Sequence, residues 1–231
     1  MPLSDRLHQS RGGSIAGVLV SGTNAIVINA AGTDVVNLRN LDINGVGTGL
    51  NGVNVFSAQA VVVEHSKIYN FTNYGINFAP TSANAKLLVS NSIISNNAQG
   101  GIYVAPGAGN YGMADIDNVE AFGNAWGVGA ADRANVTITS SNLSGNVSHG
   151  VLAYSASAPT TVNVKRSVAS HNGGYGFVTS GANAIAVLSQ TSSFGNKNGV
   201  GQVGGTMYSY GDNQILGNSI NGAPNATAAP Q

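Results

Sequence analysis

Cysteine is absent from the 231 residues, which removes disulfides, thiolate metal ligands and a cysteine nucleophile. Charge is nearly absent as well. Nine Lys+Arg stand against nine Asp+Glu, 8% of the chain, and the formal net charge is zero. A neutral chain has no long-range attraction for nucleic acid or for an anionic membrane surface. No apolar run approaches the ~18 residues of a membrane span, so no membrane insertion is expected. Proline (6 residues) and aromatics (6%) are sparse, with a single Trp. What is present is 42% apolar, enough to bury a core and, at this low charge, the opposite of a disordered composition. Glycine is in surplus at 32 residues, without the three-residue period of collagen.

Small neutral residues between short Val/Ile runs point to all-β repetition, and a repeat is present. A Gly leads an alternating apolar segment at Gly52, Gly75, Gly101, Gly127, Gly150, Gly176 and Gly199, with spacings of 23, 26, 26, 23, 26 and 23 residues. Three to five residues before most of these glycines sits an Asn: Asn70, Asn97, Asn124, Asn146, Asn172 and Asn196, continued by Asn218. Further upstream lies another alternating run, as in Val61-Val62-Val63, Leu87-Leu88-Val89, Val136-Thr137-Ile138, Val162-Asn163-Val164 and Ile185-Ala186-Val187. One repeat reads strand, short strand, Asn turn, Gly-led strand, variable loop.

Strands of ~3–5 residues recurring at this period bury no apolar face alone. Stacked, they pair in parallel at ~4.8 Å and align their inward residues into one core. The spacing therefore predicts a solenoid of about eight coils with three short strands per coil. Asn97, Asn124, Asn146, Asn172, Asn196 and Asn218 are expected to form a structural ladder, because Asn tolerates a left-handed bend and its amide reaches the next Asn along the stack. The following Gly supplies either positive φ or close packing.

The pattern Ser-x-Ile-x-Asn-x-x-x-x-Gly-Ile, taken at Ser66–Ile76 with variants at Ser92–Ile102 and Ser167–Phe177, resembles the right-handed parallel β-helix repeat of pectate-lyase-like proteins. The resemblance covers roughly Gly17 to Gly222. It implies a right-handed parallel β-helix, an extracellular or cell-surface location, and polysaccharide as the class of partner. Leucine-rich repeats lack support, and no Gly-Gly-x-Gly-x-Asp of calcium-binding nonapeptide repeats occurs.

Residues 1–16 lie outside the repeat. They are polar, without the apolar stretch of a signal peptide, and read either as an N-terminal cap, with Leu3 and Leu7 covering the first coil, or as a replaced leader. Residues 17–222 form the β-helix. Residues 223–231 are small, polar and Pro-containing, as in a flexible tail.

In the family that the chain resembles, polysaccharide chemistry lies on the outside of one strand stack. If Val63, Val89, Ile116, Ile138, Val164 and Val187 point inward, one outward row is Arg39, Glu64, Ser90, Asp117, Thr139, Lys165 and Leu188. The parallel row is Asn37, Val62, Leu88, Asp115, Thr137, Asn163 and Ala186. Asp115 and Asp117 then share an exposed face, with Lys165 two coils on, roughly 10 Å away, and Asp132-Arg133 overhanging. Such carboxylates are candidates for holding Ca²⁺, with Lys165 abstracting a proton beside a uronate. Calcium wants more oxygens than these two supply. The family's hydrolase signature of Asn-Thr-Asp, Asp-Asp and Gly-His-Gly is missing, since His149 stands in Ser-His-Gly, and its paired-Arg lyase signatures are not matched. The plainer reading is a solvated face with inter-coil charge pairs, Arg39 with Glu64 and Asp42 with Lys67.

His8, His65, His149 and His171 never fall at metal-ligand spacing, and His149 and His171 read as turn residues. The aromatics cluster as Tyr69, Phe71, Tyr74 and Phe78, then Tyr103, Tyr111, Phe122 and Trp126. They fill the core or the coil exterior, or else form a sugar platform. The sequence thus supports a non-catalytic scaffold with glycan binding and no cofactor. Its alternatives are an enzyme on acidic polysaccharide centred on Asp115, Asp117 and Lys165, with Ca²⁺ as cofactor, and a module that associates end to end.

Overall fold

The structure, a computed structural model, describes residues 14–229. It is all-β, with every strand pairing parallel to its counterpart one coil away. Each coil has three faces. The first comprises Val35–Arg39, Ala60–Glu64, the leading halves of Ala85–Ser95 and Gly112–Phe122, then Ala134–Thr139, Thr160–Lys165, Ala184–Ser189 and Thr206–Ser209. The second runs from Ala16–Leu19 through Leu41–Gly49, Lys67–Phe71 and the trailing halves of the two long strands to Val168–Ser170, Ser192–Phe194 and Gln214–Ile215. The third is a sheet of eight strands, Ile26–Asn29, Val53–Ser57, Tyr74–Phe78, Gly100–Val104, Trp126–Ala130, His149–Tyr154, Tyr175–Ser180 and Asn198–Val203. Inward residues stack in register, as in Val63, Val89, Ile116, Ile138, Val164 and Leu188, and form one continuous core.

The corners explain the repeat's polar columns. At the second corner the left-handed residue is the one before each ladder Asn: Asn96, Gly123, Gly145, His171, Gly195 and Gly217 all have positive φ. The Asn itself turns inward. Asn97, Asn124, Asn146, Asn172 and Asn196 are buried, and each Nδ2 donates to the next Oδ1, from Asn97 to Asn124 at 2.9 Å through to Asn196 to Asn218 at 2.9 Å. Asn70 is not in this line. It has positive φ and donates to Asn44, while buried Phe71 takes the inward position and its backbone N–H donates to Asn97 Oδ1.

The glycines that follow have ordinary φ, so close packing is their role. A Cβ on Gly101, Gly127, Gly150 or Gly176 would stand 2.6 to 2.7 Å from the carbonyl oxygen of the next glycine in the column. Only a bare Cα lets the coils approach there.

A second column occupies the first corner. Ser66, Ser92, Ser141 and Ser167 are buried. Each hydroxyl donates to the carbonyl two residues back and accepts the backbone N–H of the residue one coil earlier. The residue before each has positive φ: His65, Asn91, Ser140 and Arg166.

At the ends, Leu3 and Leu7 lie outside the described residues, and the first strand already includes Ala16. The sequence reading makes residues 223–231 a flexible tail. Through Ala228 the chain instead continues the solenoid. Asn225 Oδ1 accepts the Met207 N–H at 2.7 Å, Ala226–Thr227 pairs with Tyr208 and Ser209, and Ala228 donates to Ser209.

Candidate functional site

The outward face of the first sheet carries the residues singled out in the sequence. Asp115 lies between Leu88 and Thr137, and Asp117 between Ser90 and Thr139. Lys165 lies between Thr139 and Ser189, two strands beyond Asp117. The expected row therefore holds from Arg39 to Lys165 and then departs. Leu188 and Ala186 are buried, and Ser189 and Val187 take the outward places. Residues 184–189 alternate apolar side chains in both frames, so pattern alone does not fix which points in. The 24-residue step from Lys165 to Ser189 does.

The three candidates do not converge. Asp115 and Asp117 are both exposed, and Asp117 accepts a hydrogen bond from Thr139 Oγ1. Among the described residues no three His, Asp or Glu side chains are grouped to hold a metal ion. Two open carboxylates on one strand are a poor match for calcium, which needs six to eight oxygens.

Lys165 instead belongs to a groove of about 550 Å³. Its floor is Thr137, Asn163 and Val187 beside Thr139, Lys165 and Ser189, and its wall is Tyr210 and Asp212. Asp212 accepts from Ser189 Oγ at 3.0 Å. Its carboxyl is held below the ordinary carboxylate value, chiefly by a hydrogen bond from the Gln190 backbone, with help from Ser189 and the charge of Lys165. Tyr210 and Asp212 carried no signal in the sequence, because they lie in a turn after the last full repeat.

The other expected partners are placed as follows. Arg39 Nε meets Glu64 Oε2 at 3.2 Å. Asp42 and Lys67 are register neighbours, but Asp42 engages the Tyr69 hydroxyl, whose pKa that hydrogen bond raises. Asp132 does not overhang the groove. It accepts backbone N–H groups of Ala156, Ser157 and Ala158 and the Ser157 hydroxyl, which pins the loop one coil on.

A parallel stack with a buried Asn line, a serine column and a glycine column is the structural form of the repeat, and a family model described as right handed beta helix region matches residues 51–220. The chain belongs to this family. Its solenoid is consistent with the pectate-lyase-like resemblance of the repeat. No curated protein and no solved structure matches the chain. Membership in the right-handed β-helix family fixes architecture, and chemistry must be argued from the site.

The outside of the third sheet is different in kind. Tyr74 and Tyr103 stack, with ring centroids 4.8 Å apart and an interplanar angle of 17°. Trp126 meets both rings at 6.3 Å, and His149 and Tyr175 pair at 5.6 Å. Burial raises the phenol pKa of Tyr74 and Tyr103 and lowers that of His149, whose Nδ1 accepts the Tyr175 backbone N–H. His149 is therefore a strand residue of this face, not a turn residue. His171 does occupy a turn.

Proposed function

We propose that the protein is a non-catalytic β-helix scaffold, at the cell surface or outside the cell, that binds neutral glycan in the groove over Lys165. The observation that carries this reading is the groove's lining. Hydroxyls of Thr137, Thr139, Ser189 and Tyr210, the Asn163 carboxamide, the Lys165 ammonium and the Asp212 carboxylate offer donors and acceptors in mixed array. Sugar hydroxyls need both. A polyuronate needs net positive charge, yet Lys165 is the one cation of this lining, and Asp212 partly offsets it. Asp115 and Asp117 add two further carboxylates on the strand next to Thr137 and Thr139.

Two arguments weigh against catalysis. Elimination from a uronate requires its carboxylate to be neutralised and a base close to the departing proton, and an ammonium beside a carboxylate serves neither need well. Hydrolysis divides labour between two carboxyl groups held in different environments, whereas Asp115 and Asp117 are both exposed on one face of one strand.

The test is calorimetric titration with neutral oligosaccharides, alongside incubation with polygalacturonate and alginate with and without Ca²⁺. Binding of a neutral saccharide, weakened by Lys165→Ala and by Tyr210→Ala, supports the reading. Growth of unsaturated-product absorbance that Lys165→Ala abolishes would replace it with a lyase.

A further inference from the structure

The eight strands of the third sheet contain no Asp, Glu, Lys or Arg. The chain's scarce charges are placed elsewhere, and this sheet carries the aromatic surface. Tyr74, Gly100, Trp126, His149 and Tyr175 are register partners on five successive strands. At the sheet spacing the row is about 19 Å long. Tyr103 lies in the adjoining row, in register with Asn77 and Gly129.

Glycines make room for the rings. A Cβ at Gly100 or Gly129 would come within 2.5 Å of Trp126 Nε1, and one at Gly201 within 2.2 Å of Tyr175 Cε1. The indole is seated so closely that Nε1 is buried without a hydrogen-bond partner. A buried indole N–H ordinarily finds an acceptor, so the ring is held by packing. All five of Tyr74, Tyr103, Trp126, His149 and Tyr175 are half-buried.

We propose that this row is a second binding face, distinct from the Lys165 groove, for a neutral β-linked polysaccharide chain lying along the solenoid axis. Equatorially substituted pyranoses present apolar C–H faces that pack on aromatic rings and a rim of hydroxyls. Rings with polar tips accommodate both. The absence of Lys and Arg from these strands disfavours nucleic acids and acidic glycans, which need cations. Large exposed aliphatic side chains, the mark of a protein-docking patch, lie off the aromatic row, at Val27 and Val203 on the two end strands of the sheet and at Val147, Leu216 and Ile220 outside it. The row's length suits several sugar units in succession, so affinity should grow with chain length.

Because the chain has one Trp, its fluorescence reports this face alone. The experiment titrates the full chain with cellohexaose and with xylohexaose and follows Trp126 emission. A saturable change is expected, tighter for the hexaose than for the matching disaccharide. Tyr103→Ala and Tyr175→Ala should each weaken it about tenfold, with circular dichroism confirming the fold. The two variants lie three coils apart, so one remains informative if the other misfolds. Lys165→Ala should leave the response intact, which separates this face from the groove. No emission change into the millimolar range with either sugar overturns the proposal. So does a change lost equally in Lys165→Ala, or a sugar-independent dimer that Tyr103→Ala dissociates.

Discussion

Asn146 directs both its backbone N–H and its Nδ2 to one atom, Oδ1 of Asn172, at 2.9 and 3.1 Å. The same two-to-one arrangement recurs from Asn97 to Asn218, and in between each Nδ2 also reaches a carbonyl of the coil before, as Asn172 does to Leu143. Each amide thus satisfies backbone groups that the corner removes from the sheets. Such groups are costly to bury unpaired.

Replacing Asn172 should expose that dependence. Asn172→Ala leaves two Asn146 donors and the Leu143 carbonyl without this partner, and a loss of about 1–3 kcal/mol is expected in urea unfolding. Asn172→Asp keeps the acceptor but buries a charge and loses the donor. It should be less stable than the Ala variant at neutral pH and recover in acid.

Two glycines with opposite reasons should respond differently. Gly150→Ala places a Cβ 2.6 Å from Gly176 O and 2.8 Å from Ala169 Cβ, and overpacking of this kind costs about 1–3 kcal/mol. Gly145 has φ of +67° and open space around it. Gly145→Ala should cost about 1–2 kcal/mol from backbone strain, and Gly145→Asn should recover part of it. Asn at Gly150 should be worse than Ala. Thermal melts of the four variants check the ordering.

His149 should make stability depend on pH. Burial lowers its pKa from the ordinary 6.5, and neutral Nδ1 accepts from Tyr175. Between the lowered value and 6.5 the unfolded chain holds a proton that the folded chain does not, so stability rises with pH across that window. The urea midpoint should fall on going from about pH 8 to about pH 5. His149→Gln should flatten that part of the profile.

Asp132 works in the opposite sense to a simple surface charge. Burial alone would raise its pKa, but hydrogen bonds from the Ser157 hydroxyl and from the Ser157, Ala158 and Ala156 backbones outweigh it and lower the value below 3.8. The stability it contributes is present above 3.8 and is lost as pH falls through the lowered value. Asp132→Ala should speed amide exchange at Ala156, Ser157 and Ala158 while leaving exchange at Val162 and Val164 unchanged. Equal acceleration at both places would show that the carboxylate serves the whole coil.

The sequence by itself determined the period, the parallel stack, the inward Asn line from Asn97 to Asn218 and the outward row from Arg39 to Lys165, because these repeat at a fixed place within each coil. Tertiary structure decided what depends on relations between coils. Repeat lengths differ, so only the pairing of Lys165 with Ser189 settles that Leu188 is inside and Val187 outside. The reason for the glycine column, the approach of one coil's Cα to the next coil's carbonyl, has no trace in a single repeat. The left-handed residue is any of Asn, Gly or His, and was hidden by that variety. Tyr210 and Asp212 reach Lys165 across coils, as Tyr103 reaches Tyr74 and Trp126. A solenoid brings residues some two dozen positions apart within one strand spacing. Local pattern therefore specifies each rung, and the stacking of rungs specifies each site.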